Sequence, residues 1–504
     1  MSAPVLLHDL IDGPACAAGR TALVHGEDAL SYGPLRERVA RLAGRLVAAG
    51  LKAGDRAAVL LPKSIPECVA LFAVSRAGGV VVPVHPSLKG PQVRHILADC
   101  GARVLISDAA SLTGLGGALD GLADLRVVAA AEDAETVAGP LPERREATDL
   151  AAILYTSGST GLPKGVMLSH ANLIAGTRIV RTYLGIGPDE RILSVLPFSF
   201  DYGLNQLLTA LEQGGACVLL DFRFGDEVVR ALERYRITGL AGVPTLWTLL
   251  TRAAPSLARA DLSSLRYLTN SGGAVPQETV ERLRRALPQA DIVLMYGLTE
   301  AFRSTWLPPA ELDRRPGSIG RAIPETEIFA LTPEGRVAGP GEPGILHHAG
   351  PTVSMGYWNR PEDTARVLVP DPRDPSRGLV CRSGDSVVGD AEGYFRFLGR
   401  EDAMIKTQGF RVSPTEVEAA LMGTGAFRQA AVIGLPDPSL GQRIHAVAVA
   451  AEEGAPDAEI LAAMRGALAP HMVPRAIERV ARLPVTPNGK VDYKRLVAER
   501  TAGA

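Results

Sequence analysis

Tyr155-Thr-Ser-Gly-Ser-Thr-Gly-Leu-Pro-Lys-Gly-Val166 is a loop of small and hydroxylated residues closed by a lysine. It follows Ala151-Ala-Ile-Leu154, an apolar run of the length and composition of a buried strand. Gly158, Gly161 and Gly165 allow a tight turn and bring backbone N–H groups close to an anion. Thr156, Ser157, Ser159 and Thr160 add hydroxyl donors, and Lys164 adds a mobile point charge suited to phosphate. A solvated linker would need neither the strand nor the lysine, so the stretch reads as a phosphate cradle. Spacing excludes the G-x-x-x-x-G-K-[ST] loop, because Pro163 precedes Lys164 and Gly165 follows it.

Around this loop, apolar runs alternate with helix-period segments. Arg56 to Leu61, Gly79 to Pro83, Arg103 to Ser107 and Cys217 to Leu220 are apolar almost throughout, as strands are when both faces of a sheet are covered. Leu35 to Ala48 and Pro66 to Ala77 carry the helix period between them. The expected fold is therefore a large N-terminal layered α/β domain over 1–400. Its last part, about 317–400, changes to Gly/Pro-punctuated short segments such as Gly339-Pro-Gly-Glu-Pro-Gly344 and reads as a β-rich subdomain. Residues 401–504 read as a small C-terminal α+β domain, with a strand at Gly409 to Val412, a helix opening near Ser413-Pro-Thr-Glu416, strands at Ala430 to Ile433 and Ala446 to Ala450, and a helix from Asp457.

Composition narrows the function. With 504 residues, 46% hydrophobic and 21% charged, the chain is long enough for more than one core and far from disordered compositions. A net charge of −2 lacks the basic excess of a general nucleic-acid or membrane surface. The five cysteines, Cys16, Cys68, Cys100, Cys217 and Cys381, are isolated and suggest neither a disulfide framework nor a zinc site. The N-terminus lacks the basic n-region of a signal peptide. The longest apolar stretch, Cys68 to Val84, is interrupted by Arg76 and Pro83, which predicts a soluble cytoplasmic protein.

The loop resembles the phosphate loop of the AMP-forming adenylating enzymes, a superfamily that covers acyl-CoA synthetases, nonribosomal peptide adenylation domains and beetle luciferases. Four more motifs carry the resemblance along essentially the whole chain: Met295-Tyr-Gly-Leu-Thr-Glu300, Arg382-Ser-Gly-Asp385, Gly399-Arg-Glu-Asp402 and Pro487-Asn-Gly-Lys-Val-Asp492. The resemblance implies that Lys164 and its loop hold the β- and γ-phosphates of ATP. It places Tyr296 and Gly297 against adenine, Thr299 on the α-phosphate, Glu300 on Mg²⁺ and Asp385 on the ribose, with Arg400 as a second contact to ribose or phosphate. Lys490 is then the catalytic lysine that bridges the substrate carboxylate and the α-phosphate, and no nucleophilic side chain is needed. It further implies a second half-reaction, in which a phosphopantetheine thiol of CoA or of a carrier protein takes the acyl group. The C-terminal domain swings about Asp402 between the two steps and brings forward Lys406, Gly409 and Arg411, of the segment Ile405 to Arg411. A dead nucleotide-binding module would not keep Lys164, Glu300, Asp385 and Lys490 together, and a phosphotransferase would release ADP instead of AMP.

The acid itself is addressed by Leu196-Pro-Phe-Ser-Phe-Asp-Tyr-Gly-Leu-Asn-Gln206, which matches the family segment lining the acyl pocket. Amino-acid adenylation domains carry Phe-Asp there, whereas Tyr202-Gly-Leu204 continues as in acyl-CoA ligases. Asp201, Tyr202, Asn205, Ala241, Leu268, Asn270, Met295, Arg303 and Ser304 are the expected lining residues. A carboxylate in such a pocket must meet a cation. That cation is either a substrate amine or Arg303, and the two alternatives stand open in the sequence. The preferred substrate is a small amino-bearing or otherwise polar acid, with a fatty or aryl acid as the alternative if Arg303 neutralises Asp201 internally.

Overall fold

The computed structural model describes residues 4–130, 145–156, 163–401, 403–407, 410–437, 440–451 and 455–501. The chain divides into two compact units, the first comprising 1–316, 320–328 and 348–382, the second 317–319, 329–347 and 383–504.

The first unit contains two sheets. In one, β1 (Arg56–Leu60), β2 (Val80–Pro83), β3 (Val104–Ser107), β4 (Arg126–Ala129), β5 (Leu150–Thr156) and β6 (Lys164–Ser169) lie in the order β4-β3-β1-β2-β5-β6. All neighbours are parallel except β5 and β6, which form an antiparallel pair across the glycine-rich loop. Strands β2 and β3 are buried at every position, as their unbroken apolar runs require. Between β1 and β2 runs the helix α1 (Ile65–Arg76), buried at ten of its twelve residues because it is apolar all round.

The second sheet begins after a helix, α2 (His170–Leu184), with β7 (Arg191–Ser194). It continues through helix α3 (Asp201–Glu212), β8 (Ala216–Leu219), β9 (Gly239–Gly242), β10 (Tyr267–Asn270), β11 (Asp291–Leu298) and β12 (Ala301–Leu307). Its order is β12-β11-β10-β9-β7-β8, extended by an N-terminal hairpin, Thr21–His25 with Asp28–Ser31. Only β12 and the hairpin's outer strand run antiparallel to their neighbours within this part of the sheet. Phe72 of α1, Leu173 of α2, Phe198, and Leu204 and Leu208 of α3 share one continuous core. Parallel strands ending on a common edge place their following loops where α/β proteins bind ligands. Here the strand ends and the loops that follow them carry Lys63, Leu196, Met295 to Glu300 and the start of the glycine-rich segment.

The second unit has its own sheet, in the order Phe410–Val412, Ile405–Thr407, Gly441–Ala450, Phe427–Asp437, with Ile477–Arg479 parallel to Gly441–Ala450. Successive side chains of its long strands feed opposite faces. Val432, Ala446 and Ala448 pack toward the helices Pro414–Gly423 and Asp457–Ala467, while Ala431, Ile433, Val447 and Val449 meet Leu483 and Leu496. Ser413 caps the first of these helices by accepting the Glu416 N–H at 3.3 Å, the cap signalled by Ser413-Pro-Thr-Glu416. The layered α/β body and the small α+β piece are both present as read. Residues 317–400 do carry six strands and one seven-residue helix, and they are shared between the two units.

Candidate active site

The antiparallel pairing of β5 and β6 puts Thr156 opposite Lys164 at the mouth of the glycine-rich loop. Ser157, Gly158, Ser159 and Thr160 lie outside the described residues. Lys164 Nζ stands 2.8 Å from a carboxylate oxygen of Asp363 and 5.6 Å from the centroid of the Tyr357 ring. The lysine holds the Asp363 carboxyl below its ordinary range. The loop's base is braced from several sides. Tyr155 donates to Asp99 at 2.6 Å, Arg360 reaches the other oxygen of Asp99 at 2.7 Å, and the Trp358 indole donates to the Asp99 carbonyl at 3.1 Å.

Tyr296, Gly297, Thr299 and Glu300 fall at the end of β11 and the turn that follows. Tyr296 stacks on His348 with 6.1 Å between centroids and 20° between planes. Thr299 is buried and Glu300 half-buried. The Tyr357 phenol donates to a Glu300 carboxylate oxygen at 2.5 Å. Burial, then the adjacent Glu300 charge, pushes the phenol's pKa up, so it stays protonated as a donor. Tyr357 thus links Glu300 to the Lys164–Asp363 pair, and the structure brings the loop lysine and the Thr-Glu motif into one cluster. Tyr357 and Asp363 were missed in the sequence. Their only local signal is the Gly356-Tyr-Trp358 step after a glycine-rich stretch, which carries no periodicity.

Among the described residues no group of three or more His, Cys, Asp or Glu side chains forms a metal cage. A lone carboxylate such as Glu300 suits Mg²⁺, which takes one or two protein carboxylates and completes its shell with phosphate oxygens and water.

In the second unit Asp385 and Arg400 are cross-strand partners, with Arg400 Nη1 3.2 Å from a carboxylate oxygen. Asp385 is buried and Arg400 half exposed, and the Ser383 hydroxyl accepts the Asp385 N–H at 3.0 Å. Gly384, between Ser383 and Asp385 in the strand Leu379–Gly389, sits at φ 72°, where a side chain would be strained. Lys490 closes a tight turn in which Thr486 N–H donates to the Lys490 carbonyl at 2.7 Å and Gly489 N–H to the Thr486 carbonyl at 2.9 Å. Lys406 is exposed on a strand paired in register with Phe410–Val412. Asp402, Gly409 and the side chain of Arg411 lie outside the described residues.

The acid-pocket candidates gather around α3 in the first unit. Asp201 starts the helix, and Tyr202 and Asn205 follow within its first turn and a half. Arg303 Nη1 lies 3.9 Å from Asp201 Oδ2, with 2% and 6% of the two side chains exposed. The guanidinium stacks 4.4 Å from the Tyr202 ring centroid. Arg303 is thus the internal cation that Asp201 meets. The pair is too long for a hydrogen bond, however, and Arg303 Nε and Nη2 and Asn205 Nδ2 are buried donors with no acceptor among the described residues. Arg303 itself sits at φ 77°, an uncommon conformation for a side-chain-bearing residue, near the start of β12 where its pairing with β11 is irregular. Tyr202, Asn205, Ala241 and Met295 line a cavity of about 20 Å³ beneath α3. That is room for about one water molecule. Leu268 and Asn270 instead line a neighbouring niche below Trp247. There Asn270 accepts from the Trp247 indole at 2.9 Å and donates to the Gly273 carbonyl at 2.9 Å. Ser304 donates back to the Ala301 carbonyl at 3.3 Å.

Residues 14–358 match the AMP-binding enzyme family and 416–490 match the AMP-binding enzyme C-terminal domain. A phosphate loop, a Thr-Glu turn at a strand end and a separate C-terminal α+β unit define the same class, and this chain belongs to the AMP-binding enzyme family. It is 39% identical over 476 residues to a feruloyl-CoA synthase from Amycolatopsis sp, covering 94% of each chain. It is 34% identical to the L-proline–[L-prolyl-carrier protein] ligase of Streptomyces coelicolor, covering 96% of this chain and 94% of that one. Among solved structures, ATP-bound MatB from Rhodopseudomonas palustris superposes with a TM-score of 0.88 at 29% identity, covering 98% of both chains. The protein is accordingly an ATP-dependent, AMP-forming ligase that activates a carboxylic or amino acid, built as a large α/β domain and a small C-terminal domain.

Proposed function

We propose that the enzyme activates a neutral, polar-substituted acid, in the first place an aromatic one, and passes the acyl group to a pantetheine thiol, in the first place that of CoA. The observation that carries this reading is the Asp201–Arg303 pair with its two acceptorless guanidinium nitrogens. The pair is neutral as it stands. A substrate ammonium seated on Asp201 would face the Arg303 charge about 5–6 Å away, a repulsion of about 3 kcal/mol at an effective dielectric of about 20. A second carboxylate would leave the buried site with an uncompensated negative charge. A neutral acceptor such as a phenol, ether or carbonyl oxygen satisfies Arg303 without either penalty, and such a bond to a charged donor contributes about 1.5–3 kcal/mol. The feruloyl-CoA synthase relative, whose name refers to the CoA thioester of a hydroxylated aromatic acid, supports the same choice.

In the first step a substrate carboxylate oxygen attacks the α-phosphorus of ATP. The bond from that phosphorus to the bridging oxygen breaks, and pyrophosphate leaves. Two anions must meet, so fixed cations and dipoles supply the catalysis. Lys164 with Thr156 and Ser157 to Thr160 holds the β- and γ-phosphates. Thr299 contacts the α-phosphate, Tyr296 and Gly297 seat the adenine, and Asp385 with Arg400 holds the ribose. Lys490 bridges the carboxylate and the α-phosphate. Mg²⁺ on Glu300 would supply screening of the phosphate charge. In the second step the thiol sulfur attacks the acyl carbonyl, the bond to the phosphate oxygen breaks, AMP leaves and the thiol proton is released. Between the steps residues 401–504 turn about Asp402, withdrawing Lys490 and presenting Lys406 to Arg411.

A second reading, an amino acid loaded onto a separate carrier protein, is favoured by Phe200-Asp201 together with the L-proline ligase relative. ATP–pyrophosphate exchange over ferulate, 4-hydroxybenzoate, benzoate, anthranilate, decanoate and L-proline separates the readings. Ferulate or 4-hydroxybenzoate should exchange fastest. A lead for L-proline selects the second reading, and a lead for decanoate defeats both. Arg303→Met should lower kcat/KM for 4-hydroxybenzoate about 10- to 100-fold while changing that for benzoate far less, because only the hydroxylated acid loses a partner.

A further inference from the structure

Lys63 follows β1 and immediately precedes Ser64, the N-cap of α1. It is 5% exposed, rare for a lysine. Its Nζ donates to the Leu196 carbonyl at 2.6 Å and to the Ser194 hydroxyl at 3.3 Å, and lies 3.8 Å from the centroid of the fully buried Phe198 ring. The nearby carboxyl, Glu67, does not cancel the charge. Burial pushes Glu67 up to about 8, which keeps it protonated at neutral pH, and its Oε2 is buried with no hydrogen-bond partner among the described residues. The fold therefore keeps an ammonium where a methionine of similar length would pack without desolvation. All three groups it touches lie on one turn, Ser194 to Phe198, that joins β7 to α3.

That turn governs the position of α3. Leu196 and Pro197 present their carbonyls to Gly203, where a Cβ would stand 2.7 Å from the first and 2.2 Å from the second. The Phe200 N–H donates to the Pro197 carbonyl at 3.2 Å, and the Leu204 N–H to the Phe200 carbonyl at 3.0 Å. Hence the contacts of Lys63 with Leu196, Ser194 and Phe198 hold the turn, and the turn fixes where Asp201, Tyr202 and Asn205 stand opposite Arg303. We infer that Lys63 is a positioning residue for acid selection, setting the register of α3 across the pocket from Arg303. This rests on the assignment of the acid pocket to α3 made above.

The test compares Lys63→Met, Lys63→Gln and Lys63→Arg in pyrophosphate exchange with 4-hydroxybenzoate, benzoate and ATP as varied substrates. In Lys63→Met the KM for 4-hydroxybenzoate should rise about ten-fold or more while the KM for ATP stays within about two-fold. The preference for 4-hydroxybenzoate over benzoate should shrink. Lys63→Arg, which keeps charged donors, should recover part of the loss, and Lys63→Gln should fall between. If Lys63→Met does not fold, the Gln and Arg variants carry the same comparison. An unchanged acid KM, a parallel rise in both KM values, or an arginine variant no better than the methionine or glutamine one overturns the inference. Arg303→Met separates this failure from failure of the pocket assignment. If it leaves acid selectivity intact, the pocket lies elsewhere; if it removes selectivity and the Lys63 variants do not, only the role of Lys63 falls.

Discussion

Glu67 has a stability consequence opposite to that of a salt-bridged carboxylate. Its pKa rises from 4.5 to about 8 on folding, chiefly through burial. Between those values the native state holds a proton that the unfolded chain has released, so stability falls as pH rises through the window. The urea midpoint of the wild type should therefore drop between about pH 5 and about pH 8 more steeply than that of Glu67→Gln, which has nothing to titrate. Parallel pH profiles for the two proteins would remove this role. At the same scale the sequence singles out Lys164, Tyr296, Thr299, Glu300, Asp385 and Lys490 as site candidates because their residue types sit in contiguous motifs. Lys63, Tyr357 and Asp99 were not legible. Their partners Leu196, Glu300 and Arg360 lie 133, 57 and 261 residues away, and no local pattern reports a contact across such distances.

At the scale of elements, the covered strands and the capped helices were readable because burial of both faces and the Ser413 cap leave local marks. The turn before α3 left a weaker mark, a glycine at position 203 whose need becomes visible only with the Pro197 carbonyl beside it. Gly203→Ala should force α3 away from that carbonyl, destabilising the protein by about 1–3 kcal/mol and raising the KM for 4-hydroxybenzoate more than that for ATP. Urea unfolding and exchange kinetics on the same preparation measure both effects. An alanine variant with wild-type stability would mean that the helix and turn separate freely. The Asp201–Arg303 relation shows the limit of element-level reading. The motifs put both residues in one pocket, but only their 3.9 Å separation and the acceptorless guanidinium nitrogens say that the pair is unfinished.

On the scale of the whole molecule, the proposed sites divide between the units, with Lys164, Glu300, Asp201 and Arg303 in the first and Asp385, Arg400 and Lys490 in the second. If residues 401–504 turn about Asp402, the two half-reactions depend differently on that freedom. Asp402→Pro, which stiffens φ at that position, should leave acid-dependent pyrophosphate exchange within about three-fold of wild type and depress thioester formation about 100-fold or more. Equal loss of both steps would remove the hinge.

The 2.8 Å contact between Lys164 and Asp363 changes how nucleotide arrival is pictured. A phosphate reaching this lysine does not fill a bare positive hole; it displaces a carboxylate already there. Arrival is an exchange of anions, and its driving force is the difference between two attractions. A monovalent anion has little to gain from such a swap, whereas the densely charged tail of a triphosphate can outbid the aspartate and draw the lysine across. If Lys164 takes the phosphates as proposed, discrimination against chloride and simple carboxylates resides in the Lys164–Asp363 pair itself, in force before any base or sugar is recognised.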